Sequence, residues 1–155
     1  MDHNTVNHVD VAVVGGGPGG IIFAYLAARA GLRVHVLEAQ ADFNREFRGD
    51  TLNPLALELL EDMGLIDQIM QLPHGKVSTL RGSGSIPYVL SYDILRGKYP
   101  YVMILSQSLF LDFMVQQARQ YPTFTLEMSA RVNNLIEENG VIKGIEYRDS
   151  SGVLR

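Results

Sequence analysis

Six consecutive residues, Gly15-Gly16-Gly17-Pro18-Gly19-Gly20, carry the pattern G-x-G-x-x-G at Gly15, Gly17 and Gly20, and an acidic residue, Glu38, follows eighteen positions after the last of them. Each position has a chemical reading. Gly15 permits a tight turn, and Gly17, having no side chain, lets the backbone approach a pyrophosphate closely. Gly20 lets a following helix pack against a strand. The N-terminus of that helix offers unpaired N–H groups and a partial positive charge to phosphates. A carboxylate about 20 residues further on accepts hydrogen bonds from a ribose and would repel a 2′-phosphate, which argues against NADP in this site. Glycine-rich turns are common, so the flanking elements decide what this one means.

Those elements have the required order. Residues 9–14 form a short β-branched run, read as a buried strand. Residues 20–30 read as a helix with Ile21, Ala24, Tyr25 and Ala28 at helical spacing, and Gly31 is a natural stop. Residues 34–37 are a second apolar strand. A strand, a helix and a strand within about thirty residues form a βαβ unit, whose strands are parallel and whose crossover is right-handed. Beyond it, residues 54–63 read as a helix with Leu55, Leu59 and Leu60 inward, broken by Gly64, and residues 65–72 add a shorter one. Gly82, Gly84, Pro87, Gly97 and Pro100 punctuate residues 76–105 into two or three strands, a strand-rich insertion leading towards a substrate domain. Helix returns over 107–121, with Phe110, Phe113, Met114 and Ala118 on one face. Residues 124–128 should join the first sheet, and Asn139-Gly140 marks a hairpin between 131–137 and 141–148. The expected class is α/β: a Rossmann-like, three-layer dinucleotide-binding fold with a parallel sheet, plus a β-hairpin or meander and the strand-rich insertion.

Composition narrows the function. The chain has 155 residues, 46% hydrophobic and 19% charged, which fits one globular domain with a core. A net charge of −4 provides no electrostatic footprint for nucleic acid or an anionic membrane. The absence of cysteine excludes disulfides, zinc thiolates and thiol catalysis. The apolar stretch 9–37 is interrupted by the glycines, Arg29 and Arg33, so it supplies no membrane span. Residues 1–8 are polar and too short for a signal peptide, and a cytoplasmic protein is expected. His3, His8, His35 and His74 have no ligand spacing and read as surface or strand histidines, so no metal is expected. No acid, base or nucleophile constellation is visible, and no catalytic residue is named.

The fingerprint alone does not separate FAD from NAD. A classical NAD domain continues with alternating strands and helices, whereas this chain inserts strands and places Arg45 and Arg48 a few residues after Glu38. Guanidinium groups there could reach a pyrophosphate or a flavin, although solvated loop arginines have the same composition. The run Arg45-Glu46-Phe47-Arg48-Gly49-Asp50-Thr51-Leu52-Asn53-Pro54, then 57–65, together with Ser106-Gln107-Ser108-Leu109-Phe110-Leu111 and the hairpin, resembles the FAD-dependent monooxygenases of the p-hydroxybenzoate hydroxylase type. The resemblance spans almost the whole chain. It implies that Gly15, Gly17, Pro18, Gly19 and Gly20 hold the FAD pyrophosphate and that Glu38 holds the adenosine ribose. It also implies that Arg45 and Arg48 lie near the FAD, that Gln107 touches the pyrophosphate or ribitol, and that Val132 presents its backbone to the adenine. Read as plain residues, Gln107 is equally a polar helix start and Val132 equally strand core.

The resemblance further implies an oxidoreductase in which NAD(P)H, as a transient donor, reduces the flavin and O₂ supplies one oxygen to a small organic substrate. Two further family motifs, an Asp-Gly and a Gly-Asp segment, normally lie beyond position 155, so the chain is expected to be the N-terminal part of a longer enzyme. The competing expectations are another flavoprotein of the same fold, such as a prenyl-chain reductase or a halogenase, and a non-catalytic dinucleotide-binding domain. Substrate, oligomeric state and the choice of NADH or NADPH are not legible.

Overall fold

The computed structural model describes residues 8–44, 50–83 and 87–155. The chain divides into two units, one of residues 1–44 and 111–155 and one of residues 45–110.

The first unit is organised by the βαβ pattern. β1 (Val11–Val14) leads through the glycine run into α1 (Pro18–Arg29) and on to β2 (Val34–Glu38). β1 and β2 pair in parallel with Val11 opposite Val34 and Val14 opposite Leu37. β8 (Phe124–Met128) pairs in parallel with the other edge of β2, giving the order β1-β2-β8. Both strand expectations are met. The helix begins at Pro18, two residues before the expected start, because proline suits the first helical position, where its missing N–H has no partner to lose. Ile21, Ala24, Tyr25 and Ala28, on one helical face at i, i+3, i+4 and i+7, are all buried, as are Val34 and Val36 of β2. Two alanines on the buried stripe let α1 approach closely, and Ile21 alone contributes roughly 1.5–3 kcal/mol by burial.

After β8 the chain turns through Ser129, at φ 56°, into β9 (Arg131–Glu138) and β10 (Val141–Arg148), an antiparallel hairpin. Asn139 and Gly140 both have positive φ, 54° and 77°, as the primed turn of a two-residue hairpin requires. Residues 149–152 turn the chain again, and Leu154 bridges back antiparallel to Arg148, the beginning of a meander.

The second unit contains β3 (Thr51–Leu52), α2 (Pro54–Asp62), α3 (Ile66–Ile69), β4 (Gly75–Val77), β5 (Thr79–Gly82), β6 (Tyr88–Ser91) and β7 (Val102–Ile104). Among the described residues, the stretch from 75 to 104 thus holds four strands rather than two or three, β4 and β7 in the sheet β3-β7-β4 and β5 and β6 in a separate ribbon. α2 corrects a second expectation. Leu57 and Leu60 face the core, while Leu55 and Leu59 are exposed. The helix is apolar on two sides, so spacing alone allowed either stripe to be inward. α4 (Gln107–Ala118) starts in the second unit and continues into the first, with Phe110, Phe113, Met114 and Ala118 buried as expected and Leu111 and Val115 buried beside them. It stops three residues short of Tyr121. Among the described residues no helix is long and apolar enough to cross a membrane.

Candidate dinucleotide-binding site

The glycine run forms the turn between β1 and α1, and its residues do different jobs. Gly15 has φ +103°, a conformation that side chains rarely adopt, and its N–H donates to the Leu37 carbonyl at 2.9 Å, extending the β1–β2 pairing by one bond. At Gly20 a Cβ would lie 2.1 Å from the Gly15 carbonyl oxygen and 3.3 Å from Val13 Cγ1. Any larger residue there pushes α1 off β1. Gly17 and Gly19 are the opposite case, since a Cβ on either would meet nothing within 4 Å. These two are not needed for packing inside the chain.

Gly17 is the N-cap of α1, with extended backbone (φ −73°, ψ 176°), no side-chain cap and no acidic residue in the first turn. A helix of twelve residues therefore presents its positive end with nothing from its own side chains to satisfy it. Open space above Gly17, an uncapped helix end and glycines that let the backbone come close are the features a pyrophosphate needs.

Glu38 ends β2 and is 4% exposed. Its Oε2 accepts the Gly16 N–H at 2.7 Å and its Oε1 accepts the Gln40 N–H at 2.8 Å. Two donors fix the orientation of a group that can accept about four hydrogen bonds. The carboxylate is thus tied to the glycine turn itself, which joins the two halves of the fingerprint. Gly16, a variable position of the pattern, is part of this arrangement: a Cβ on it would meet Glu38 Cβ and Oε2 at 3.2 Å and Phe43 Cε1 at 3.3 Å. Spacing rules do not single it out; only its place in a run of glycines hints at it.

The far side of β2 is latched to the start of the hairpin. The Glu38 carbonyl accepts the Ala130 N–H and the Gln40 carbonyl accepts the Ser129 N–H, each at 2.8 Å. Val132, the second residue of β9, follows directly, half-buried and paired with Tyr147. The Tyr147 hydroxyl donates to Glu127 Oε2 at 2.9 Å, and burial, followed by that carboxylate, pushes the phenol up to about 12. His35 of β2 is buried nearby, its Nε2 3.3 Å from the same Glu127 oxygen but without hydrogen-bond geometry. A hollow of about 1040 Å³ is lined by His35, Glu127, Tyr147 and the apolar Val14, Leu37 and Ile142. It includes neither the fingerprint glycines nor Glu38, so it is not the site described above.

Of the other expected residues, Arg45 and Arg48 lie outside the described residues. Gln107 is the first residue of α4, in the second unit, and its N–H donates to Asp50 Oδ1 at 3.0 Å. The structure therefore brings Gly15, Gly17, Pro18, Gly19, Gly20 and Glu38 into one cluster with the start of the Val132 strand beside it. Asp50 is a contact that sequence reasoning passed over, because an acidic residue in a polar loop has no signature of its own.

Residues 8–153 match the FAD binding domain family. The chain belongs to that family. Its similarity to the p-hydroxybenzoate hydroxylase type of flavin enzyme is thereby borne out, and the residues of the glycine turn fit the cofactor the family is named for. Among curated proteins, this FAD-binding domain is 33% identical over 140 residues to 6-methylpretetramide 4-monooxygenase of Streptomyces rimosus, covering 89% of this chain and 34% of that protein. It is 32% identical over 148 residues to squalene epoxidase 5 of Arabidopsis thaliana, covering 92% of this chain and 28% of that one. The solved p-nitrophenol 4-monooxygenase of Pseudomonas putida superposes with a TM-score of 0.79 at 23% identity, over 91% of this chain and 36% of its own, which establishes the shared Rossmann-like fold. The chain thus spans about a third of the length of the curated relatives it matches.

Proposed function

We propose that this FAD-binding domain serves a flavin-dependent monooxygenase that inserts one oxygen atom of O₂ into a small organic substrate at the expense of NAD(P)H. The observation that carries the cofactor half of this reading is the bond between Glu38 and the Gly16 N–H at 2.7 Å, which sets a buried carboxylate beside an uncapped helix end. A pyrophosphate and the ribose attached to it require that pair at that closeness. The activity half rests on sequence relatives that are monooxygenases at 32–33% identity. A halogenase or a prenyl-chain reductase can share this fold, and fold alone does not assign chemistry.

In this reading Gly15, Gly17, Pro18, Gly19 and Gly20 hold the pyrophosphate through main-chain N–H groups and the α1 dipole. Glu38 accepts the hydroxyls of the adenosine ribose and Val132 meets the adenine with its backbone. Arg45 and Arg48 flank the cofactor, and Gln107 contacts its pyrophosphate or ribityl chain. When bound, FAD supplies the redox chemistry, taking electrons from the nicotinamide donor and passing them to O₂. The chain's own contribution is to bind, orient and shield. The strand-rich residues 76–105 lead towards the part that receives the substrate. We place the protein in the cytoplasm, where a nicotinamide donor is available.

The test is to purify the intact protein, release its chromophore by heat and identify it, then follow NADH and NADPH oxidation with candidate aromatic and polyketide substrates under ¹⁸O₂. Released FAD and one ¹⁸O atom in the product are expected. A protein that binds no flavin would end the cofactor reading. Substrate halogenation, or turnover with no oxygen incorporated, would end the monooxygenase reading.

A further inference from the structure

Of residues 39–44, which follow β2, five are exposed and Phe43 is buried, at 9% exposure. What its ring covers is given by the glycine turn. Phe43 Cε1 lies 3.3 Å from the point where a Gly16 Cβ would stand, and Glu38 Cβ and Oε2 lie 3.2 Å from the same point. Ring and carboxylate thus flank one backbone position, the one whose N–H donates to Glu38 Oε2 at 2.7 Å. The loop that carries the ring is tied at several places. The Gln40 N–H donates to Glu38 Oε1, the Gln40 carbonyl accepts the Ser129 N–H, and Asp42 Oδ1 accepts the Asn44 N–H, each at 2.8 Å. All of these residues belong to the first unit, together with the glycine turn.

We propose that Phe43 is a positioning residue for the adenosine ribose: packed at Gly16 beside Glu38, its ring keeps water from the carboxylate and so sharpens the recognition of a ribose 2′-hydroxyl. The inference rests on the reading that Glu38 accepts the ribose hydroxyls, and it adds a residue that makes no hydrogen bond of its own. A carboxylate in water is already hydrogen-bonded, so a ribose hydroxyl that reaches it merely replaces a water and gains little. A carboxylate shielded by an apolar ring has fewer waters to give up, and in the lower local dielectric each bond to it is stronger. The Gly16 and Gln40 N–H groups offset the cost of burying the charge and fix its direction. Gly16 completes the arrangement, because a side chain there would stand between the ring and the carboxylate.

The experiment compares ADP with 2′-deoxy-ADP as competitors of FAD binding to the intact apoprotein, in the parent, Phe43→Ala, Phe43→Leu, Glu38→Ala and the Phe43→Ala/Glu38→Ala double variant. Thermal melting of each apoprotein accompanies the titrations. The parent should prefer ADP by about tenfold, the scale of one hydrogen bond to a charged group. Phe43→Ala should lower that preference to about twofold by weakening ADP while leaving 2′-deoxy-ADP nearly unchanged. Phe43→Leu should keep most of the preference, since shielding asks for apolar bulk and not for an aromatic ring. The double variant should bind FAD no more weakly than Glu38→Ala alone, because Phe43 acts through Glu38. A parent without preference, or a preference that survives Glu38→Ala, would overturn the ribose reading and this role with it. A preference lost in Glu38→Ala but kept in Phe43→Ala, with both nucleotides weakened alike, would overturn the role of Phe43 and leave the ribose reading standing. Losses that multiply in the double variant, or a Phe43→Leu protein as unselective as Phe43→Ala, would overturn it too. If Phe43→Ala does not fold, Phe43→Val carries the test, with a preference of about fourfold expected and an unchanged tenfold preference overturning the proposal.

Discussion

α1 and α4 are both helices of twelve residues, and they begin in opposite ways. α4 starts under the Asp50 carboxylate, and α2 starts under Asn53, whose Oδ1 accepts the Ala56 N–H at 2.9 Å. α1 starts at Gly17 with no side-chain cap and open space above it. Capping α1 with Asp or Asn would stabilise it by a few tenths of a kcal/mol over glycine. A closed helix end serves the fold. The open one, with a buried carboxylate bonded beside it, is shaped for something outside the chain. The difference also separates the glycines of the fingerprint: Gly20 is required by the packing of α1 on β1, whereas a Cβ on Gly17 would meet nothing inside the chain.

Three variants sharpen that comparison, beginning with the largest effect. Gly20→Ala should cost about 3 kcal/mol or more of stability, because its Cβ meets the Gly15 carbonyl, a backbone atom that cannot swing away. Chemical denaturation measures this, and a variant as stable as the parent would mean that α1 can shift freely on the sheet. Glu38→Ala comes next. It removes the acceptor of the Gly16 and Gln40 N–H groups and the proposed ribose partner, and FAD affinity should fall by about 1–3 kcal/mol. Isothermal titration with FAD that returned the parent affinity would put the ribose elsewhere.

The smallest effect concerns groups remote from the cofactor. The hydrogen bond from Arg33 holds the Asp10 carboxyl at about 2, and bonds from Ser151 and then Arg155 hold Asp149 at about 2. Both values lie below the unfolded value of about 3.9. Their contribution to stability is complete above that value and is lost as pH falls through about 2. Asp10→Asn combined with Asp149→Asn should lower the denaturation midpoint slightly at pH 7. It should also flatten the decline of that midpoint between about pH 4 and pH 2. Parallel curves for parent and variant would show that these carboxyls do not contribute, and FAD affinity should not move in either case.

Much of this was legible in the sequence, for a physical reason. Residues 9–38 carry local signals that agree: β-branched runs, glycines that only a tight turn needs, an alanine-rich helical stripe, and Glu38 at the right distance. Asn139-Gly140 names its own turn. Where signals conflict, the reading failed. In α2 leucines lie on both sides, and the inward choice of Leu57 over Leu55 and Leu59 is made by neighbours distant in sequence. β3 is two residues long and exists only because β7 pairs with it. The tie from Gly16 to Glu38 and the cap from Asp50 to Gln107 join residues 22 and 57 positions apart, and no local pattern encodes either.

The most direct test of the account is to close the open helix. Gly17→Asp places a carboxylate at the N-cap of α1, where the backbone is already extended as a capping aspartate prefers. FAD titration and thermal melting would be measured on the same preparation. The account predicts that the variant melts at or slightly above the parent temperature while FAD affinity falls on the order of 100-fold, since a second anion in that position costs several kcal/mol. Undiminished FAD affinity in a folded Gly17→Asp protein would contradict it, because the pyrophosphate would then be held somewhere other than the N-terminus of α1.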